Sequence, residues 1–321
     1  MAIKLNNLIK TSLLSIFFTY VCCCPGLSKA QEESIESLSV DSQLRVAMLH
    51  LDLKYADIDH NLGLIESGVQ QAAALGANWV LTPELALTGY RFDLKLGTDW
   101  IQLGPDESVK GIQKLAKENG VTVFLSHLER AHLEGAAPEG NYETKKSAKK
   151  ALFNTLFVIG KNGEILGRHR KINTIPIAES WSTPGKKALS LDIDGINVGL
   201  LICADAWPEE HTQYLKEQGV DLIVSSASWA PGEYGPKDTW EKRSIETGIP
   251  FFVNNRTGFE RGLDLTESKS VVSIDGSRVM SHSSITSKIV VFDWHQGSKK
   301  LSNQATFDLI HQNYFDGASS D

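Results

Sequence analysis

The sequence predicts a single α/β domain in which helices cover the faces of β-sheet. Strand-like and helix-like segments alternate from Arg45 to Asp293. Several strands, such as Ile196–Ile202 (INVGLLI), are apolar throughout rather than at every second position, which marks burial on both faces. No composition break and no internal repeat divides the chain. Periodicity leaves open a doubly wound sheet or a sandwich of two sheets.

The elements follow in order. Arg45–Leu51 reads as a buried strand. Asp59–Leu75 has apolar residues at helical spacing and ends at Gly76. Trp79–Leu81 is a short strand stopped by Thr82-Pro83. Val109–Asn119 is a helix closed by Gly120, and Val121–Leu128 is a strand. Residues 133–150 (LEGAAPEGNYETKKSAKK) are polar and turn-rich, as in a surface loop or flap. Strands at Leu152–Ile159 and Ile165–Arg168 are joined across Lys161-Asn162-Gly163. Beyond Ile196–Ile202, the pattern gives a helix at Glu209–Gln218, a strand at Leu222–Ser225, a helix at Asp238–Thr247 and a strand at Phe251–Asn254. Strands at Ser270–Ile274, Arg278–His282 and Lys288–Asp293 complete the domain. Its bounds are residues 44–295, after a loose leader at 31–43 and before a polar, weakly patterned tail at 296–321.

With 321 residues, 41% of them hydrophobic, the chain can bury one large core. A formal net charge of −7 and the lack of a basic run argue against a nucleic-acid partner. The first 30 residues differ in kind. Lys4 and Lys10 precede an apolar run from Leu13 to Cys24, and small residues at Ser28 and Ala30 suit a signal-peptidase site. The run is shorter than the roughly 20 residues of a spanning helix. A cleaved signal, with cleavage after Ala30, is therefore expected, and an uncleaved anchor is the alternative. The mature chain would be periplasmic or secreted, with no membrane span.

Cleavage would remove three lysines and no acid, taking the net charge from −7 to −10. It would also remove Cys22, Cys23 and Cys24, leaving Cys203 as the single thiol. That excludes a disulfide scaffold and a cysteine-built zinc site. The ordinary reading of a lone cysteine is a small buried hydrophobe. Its position argues for more. Cys203 ends the strand INVGLLI and opens a tight turn, a device that exposes a nucleophile on a rigid scaffold and turns backbone N–H groups toward a developing oxyanion.

A thiol needs a base or a positive neighbour to become a thiolate. Glu84, in LTPELALTGY, lies at the carboxyl edge of Trp79–Leu81, where α/β sites form; taken alone it is equally a turn or cap carboxylate. Lys171, in GRHRKINTIP, follows another strand; taken alone it is a basic loop residue. Glu179 lies among Ile177, Ala178 and Trp181, where partial desolvation raises its pKa or demands a cation.

Together these residues are more specific. A strand-end Glu, a strand-end Lys with a Glu eight residues on, and a strand-end Cys resemble the nitrilase-like carbon–nitrogen hydrolase family. The matching segments are Pro83-Glu84 through Gly89-Tyr90, Arg170-Lys171 and Gly199 through Asp205, with Asn154-Thr155, Arg243 through Glu246, and Asn255-Arg256 with Gly258 in support. The resemblance covers Leu44 to Asp293. It implies a four-layer α-β-β-α sandwich, assembled as a homodimer or higher homo-oligomer. It implies Glu84 as general base and then acid, Cys203 as the nucleophile forming a thioester, and Lys171 with the Ala204 N–H as oxyanion donors. Glu179 would position substrate and hold the lysine; Tyr90, Trp207 and Arg256 would complete the pocket. No metal or organic cofactor is implied, and the partner is a small amide.

Two departures bear on pocket shape. Ala204 replaces the aromatic residue common after the cysteine, and Pro208 comes five residues after Cys203 rather than six, without the usual Arg. Ala204-Asp205 resembles the amidase and carbamoylase branches more than the nitrilases, which typically carry Trp-Glu. An N-carbamoyl amine hydrolase or a nitrilase on this scaffold is the alternative, and a non-catalytic binding protein a further one. Arg256 would bind an acidic substrate or form a structural ion pair. A papain-like hydrolase is disfavoured because none of the nine histidines has a context that marks it as a base. A helical metal motif is absent, since His211 lacks a second histidine at helical spacing.

Overall fold

The strongest apolar runs of the chain become the inner strands of two sheets. The computed structural model describes residues 42–133 and 150–310. The expected signal segment, nearly all of the leader, the polar loop between residues 133 and 150, and the last residues of the tail lie outside them.

The first sheet has seven strands: β1 (Gln43–His50), β2 (Trp79–Leu81), β3 (Thr122–His132), β4 (Lys150–Ile159), β5 (Ile165–Arg170), β14 (Lys288–His295) and β15 (Lys300–Asp308). Their order is β15-β14-β1-β2-β3-β4-β5, with β1, β2 and β3 parallel at the centre. The second sheet has six: β6 (Leu189–Ile193), β7 (Ile196–Ile202), β8 (Leu222–Ser226), β9 (Phe251–Asn254), β12 (Ser270–Ile274) and β13 (Ser277–His282), in the order β13-β12-β9-β8-β7-β6. Here β7, β8 and β9 are the parallel centre. A two-residue pair, β10 (Phe259–Glu260) and β11 (Leu263–Asp264), stands apart.

Parallel neighbours need crossovers, and the helices supply them. In the first half these are α1 (Ile58–Ala74) and α3 (Glu107–Asn119), with a short α2 (Asp93–Leu96) between; in the second they are α4 (Glu209–Glu217) and α5 (Thr239–Thr247). Asp57 caps α1 by accepting His60 N–H at 3.2 Å. Asp106 caps α3 by accepting Val109 N–H at 3.0 Å, which starts that helix two residues before the apolar pattern does.

Successive side chains of the central strands point to opposite faces, both of them buried, and so sort the layers. Ala47 and Leu49 of β1 pack with Ile65 and Val69 of α1 and with Val109 and Ile112 of α3. Val46 and Met48, on the opposite face, join Val198, Leu200 and Val224 of the second sheet. Leu215 of α4 and Trp240 of α5 belong to the same core. Gly199 on β7 makes room for α4, since a Cβ there would lie 2.8 Å from Leu215 Cδ1. The result is the four-layer α-β-β-α sandwich, which settles the choice that periodicity left open.

The sequence patterning predicts no strand at Leu189–Ile193 or Lys300–Asp308, and the structure has both. The segment expected as a weakly patterned tail instead pairs antiparallel with β14 and becomes an edge of the first sheet. Strand β5 runs on to Arg170, so that Lys171 begins the loop at its end. Among the described residues, no helix is long and apolar enough to cross a membrane.

Candidate active site

Three segments converge where the strands end. Pro83 follows β2 and cannot continue the ladder, so the chain turns and Glu84 sits in a loop pinned to the other sheet by its own N–H on Ala227 O at 3.2 Å. Lys171 follows β5, its N–H on Asn154 O at 2.8 Å and its carbonyl taken by Gly185 N–H at 2.8 Å. Cys203 follows β7 and opens a 3₁₀ turn, Cys203–Ala206, at φ +50°.

Glu84, Lys171 and Glu179 are buried, and Cys203 is 4% exposed. Lys171 Nζ donates to Glu84 Oε1 and to Glu179 Oε2, each at 2.7 Å. Asn154 Nδ2 bridges the same two carboxylates, donating to Glu84 Oε1 at 2.9 Å and Glu179 Oε1 at 2.8 Å. Glu179 Oε2 also accepts Tyr90 Oη–H at 3.1 Å and Ile175 N–H at 2.9 Å. Ser228 N–H donates to Glu84 Oε2 at 3.0 Å. Arg170, next to Lys171, takes a separate course and pairs with Glu129 at 2.7 Å.

The charges follow from this packing. Burial pushes the Glu84 carboxyl above its usual range and Glu179 adds to that, against the pull of the Lys171 ammonium and the Asn154 N–H. Burial alone would drive Lys171 down, but Glu84, Tyr90 and Glu179 hold its ammonium well above the usual lysine range. Burial also raises the Cys203 thiol well above its usual value; the Glu84 charge adds to this, while Lys171 and the Ser228 amide favour the thiolate. The thiol therefore rests protonated beside a charged lysine and needs a base to become a thiolate.

The two Glu84 oxygens differ in how many hydrogen bonds they accept. Glu84 Oε1 already takes Lys171 and Asn154, whereas Oε2 takes only Ser228 N–H. Oε2 keeps the lone pair that can receive the Cys203 proton. Lys171 Nζ, with three N–H groups, donates two to carboxylates and has a third to give.

The other expected pocket residues divide. Tyr90 is in contact through Glu179, and its ring lies 5.5 Å from Lys171 Nζ. Ala204 is buried in the turn, and Asn173 Nδ2 donates to its carbonyl at 2.8 Å. Trp207 ends the turn half-exposed, its ring edge-on to Trp229 at 5.1 Å, which in turn meets Trp240 at 5.7 Å. Arg256 takes the structural course: its guanidinium is buried, pairs with Glu260 at 2.5 Å and donates to Leu53 O at 2.7 Å. Glu260 in turn accepts the N–H groups of Tyr90 and Arg91, so Arg256 acts on the Tyr90 turn from behind.

Ser228 escapes the sequence reading, as do the roles of Asn154 and Asp205, both of which stand in matching segments. Asn154 is legible as part of a matching segment but not as the bridge between both carboxylates. Ser228 carries no signal, because its amide meets Glu84 across 144 positions of chain.

The chain is similar to known proteins in sequence and in fold. The profile of the carbon–nitrogen hydrolase family matches residues 45–291. A nitrilase of Pyrococcus abyssi is 27% identical over 251 residues, 77% of this chain and 87% of that one. An omega-amidase of Mus musculus is 31% identical over 196 residues, 57% of this chain and 63% of that one. The N-carbamoylputrescine amidase of Arabidopsis thaliana is 26% identical over 224 residues, 64% and 68% of the two chains. In fold, the chain is similar to the crystal structure of an amidase from Nesterenkonia sp., with a TM-score of 0.65, 21% identity, and 79% and 90% of the two chains covered.

Proposed function

Because the chain belongs to the carbon–nitrogen hydrolase family, we propose that it hydrolyses a small primary amide to a carboxylic acid and ammonia. The enzyme cleaves a non-peptide C–N bond through a thioester on Cys203. Glu84 Oε2 takes the thiol proton as sulfur attacks the amide carbon. The third N–H of Lys171 and the Ala204 N–H receive the tetrahedral oxyanion, a contribution of about 3 kcal/mol for each such donor. Glu84 then passes its proton to the nitrogen as the C–N bond breaks. Water, deprotonated by the same carboxylate, attacks the thioester and releases the acid, and Cys203 regains its proton.

The observation that carries the amide reading is the second carboxylate. Glu179 Oε1 takes one hydrogen bond, from Asn154, and retains an acceptor site. A primary amide brings two N–H donors to a site with two buried carboxylates, and a nitrile brings none. Each carboxylate oxygen already has a partner, so the preference rests on the spare acceptor sites that an amide N–H can fill and a nitrile cannot. The test is ammonia release from a panel of amides, N-carbamoyl amines and nitriles. Amides are expected to turn over fastest and Cys203→Ala to abolish turnover. A nitrile outpacing its amide overturns the substrate reading; turnover that survives Cys203→Ala overturns the mechanism.

The reading extends to place. The basic and then apolar start, Lys4 to Cys24, supports export with Gln31 as the mature N-terminus. Sequencing the N-terminus of the native protein tests it; an N-terminus at Met1 or Ala2 in a cytoplasmic fraction rejects it.

A further inference from the structure

Asp205 lies two residues past the nucleophile and takes no part in the steps above. Its carboxylate is buried and accepts four hydrogen bonds. Oδ2 takes Ile202 N–H at 3.0 Å and His169 Nε2–H at 2.9 Å. Oδ1 takes Ile172 N–H at 2.9 Å and Asn173 N–H at 2.7 Å. The donors belong to the two loops that must meet at the site. Ile202 precedes Cys203, and Ile172 and Asn173 follow Lys171. Asn173 returns a bond of its own, from Nδ2 to Ala204 O.

This placement has a structural consequence. Cys203 at φ +50° occupies the left-handed region, which is strained for a non-glycine residue and persists only where the surroundings hold it. Asp205 holds the residue before it. Asn173 Nδ2 and Trp207 N–H hold the Ala204 carbonyl, the latter at 3.0 Å. His169, buried on β5, orients the carboxylate from the lysine side. Burial alone would raise the Asp205 carboxyl, but His169 and the backbone N–H groups hold it below the usual range, so it stays a four-fold acceptor.

We infer that Asp205, oriented by His169, is a positioning residue for the hydrolysis: it fixes Lys171 Nζ and the Ala204 N–H at the separation that a tetrahedral oxyanion requires. The inference rests on the mechanism proposed above. The residue touches no reacting atom and acts by coupling the nucleophile turn to the lysine loop. A misplacement of about 1 Å in such a pair costs on the order of 100-fold in rate.

The test uses Asp205→Asn and His169→Gln in the full chain, with active sites counted by alkylation of Cys203 read from its own peptide, so that Cys22, Cys23 and Cys24 do not enter the count. Asp205→Asn keeps the shape but sets an NH₂ against the Ile202 and His169 donors. Its kcat per titrated site is expected to fall on the order of 100-fold, with KM changed by less than about threefold. His169→Gln is expected to fall on the order of 10-fold in kcat with the same KM. A residue that merely supports the fold would lower the melting temperature and the number of titrated sites but leave kcat per site intact. That outcome, or a raised KM with unchanged kcat, overturns the inference. If Asp205→Asn does not fold, His169→Gln decides alone. Cys203→Ala, run in parallel, reports on the thioester mechanism separately.

Discussion

At the scale of residues, the site is one cation shared between two buried acids and steadied by a neutral amide. Lys171 is the only cation hydrogen-bonded to Glu84 and Glu179 among the described residues. Lys171→Met leaves two carboxylates facing each other without it. Breaking a buried ionic group by removing one partner costs about 3–5 kcal/mol, so this variant is expected to lose turnover and to melt well below the parent in thermal unfolding. A melting temperature equal to the parent's would show that the carboxylates find another partner. Asn154→Ala is subtler. Its N–H bonds favour the Glu84 carboxylate, so their loss raises the Glu84 pKa further. The acidic limb of kcat/KM, which reports the base in the free enzyme, is then expected to move to higher pH. The maximum should fall on the order of 10- to 100-fold for two lost charge-assisted bonds of about 1.5–3 kcal/mol, partly replaced by water. An unmoved limb would place the titrating base elsewhere. The sequence makes Glu84, Lys171, Glu179 and Cys203 legible only in combination, as three strand-end residues and a Glu eight positions past the lysine that together resemble one family. It hides Ser228 and the role of Asp205, because both depend on segments distant in the chain being folded together.

At the scale of elements, the four longer helices, the inner strands and two sheet edges, β5 and β13, were legible, while the edges β6 and β15 were not. An inner strand such as β7 is apolar on both faces, so composition alone marks it. Strand β15 (KLSNQATFD) is largely exposed, with no apolar alternation to betray it, and only its ladder with β14 defines it. Strand β6 (LSLDI) is half-buried, and the Asp194-Gly195 turn into β7, with both residues at positive φ, completes the hairpin. The turn after Glu84 carries a stricter demand. Gly89 has φ +76°, and a Cβ there would lie 2.8 Å from Glu260 Oε2. That oxygen cannot simply swing away, because Arg256 and the Tyr90 N–H hold it. Gly89→Ala is therefore expected to destabilise by about 1–3 kcal/mol, from backbone strain and the displaced Glu260. It should also lower kcat/KM by shifting Tyr90 off Glu179. Urea unfolding and steady-state kinetics check both; a neutral result on both would mean that the turn relaxes freely.

At the scale of the whole molecule, the two sheets are held by more than apolar packing. Asn254 at the end of β9 donates to Leu49 O and Leu81 O of the other sheet, at 3.0 and 2.7 Å. Ser226 Oγ–H donates to Thr82 O at 2.8 Å. His50, the last residue of β1, meets Ser270 Oγ of β12 at 2.9 Å through Nδ1 and stands edge-on to His282 at 5.2 Å. This polar seam makes stability depend on pH. Burial pushes the His50 imidazole down to about 3, with His282 and Arg256 adding to the shift and the Asn255 backbone opposing it. An unfolded histidine titrates near pH 6.5, at roughly its ordinary value. Between those values the unfolded chain binds a proton that the folded chain refuses. The stability from this group is thus complete above about pH 6.5 and is lost as pH falls toward 3, at about 1.4 kcal/mol per pH unit. At pH 5 the loss from His50 alone is about 2 kcal/mol, and His282, pushed down by burial and by Lys288, acts in the same direction. His50→Gln keeps a polar group in place but cannot titrate. It is expected to be less stable than the parent at pH 7, and the gap should narrow by about 2 kcal/mol at pH 5. Urea unfolding of both proteins across that range measures it. Parallel stability curves would show that His50 is protonated in the folded seam and that another group sets the acid sensitivity.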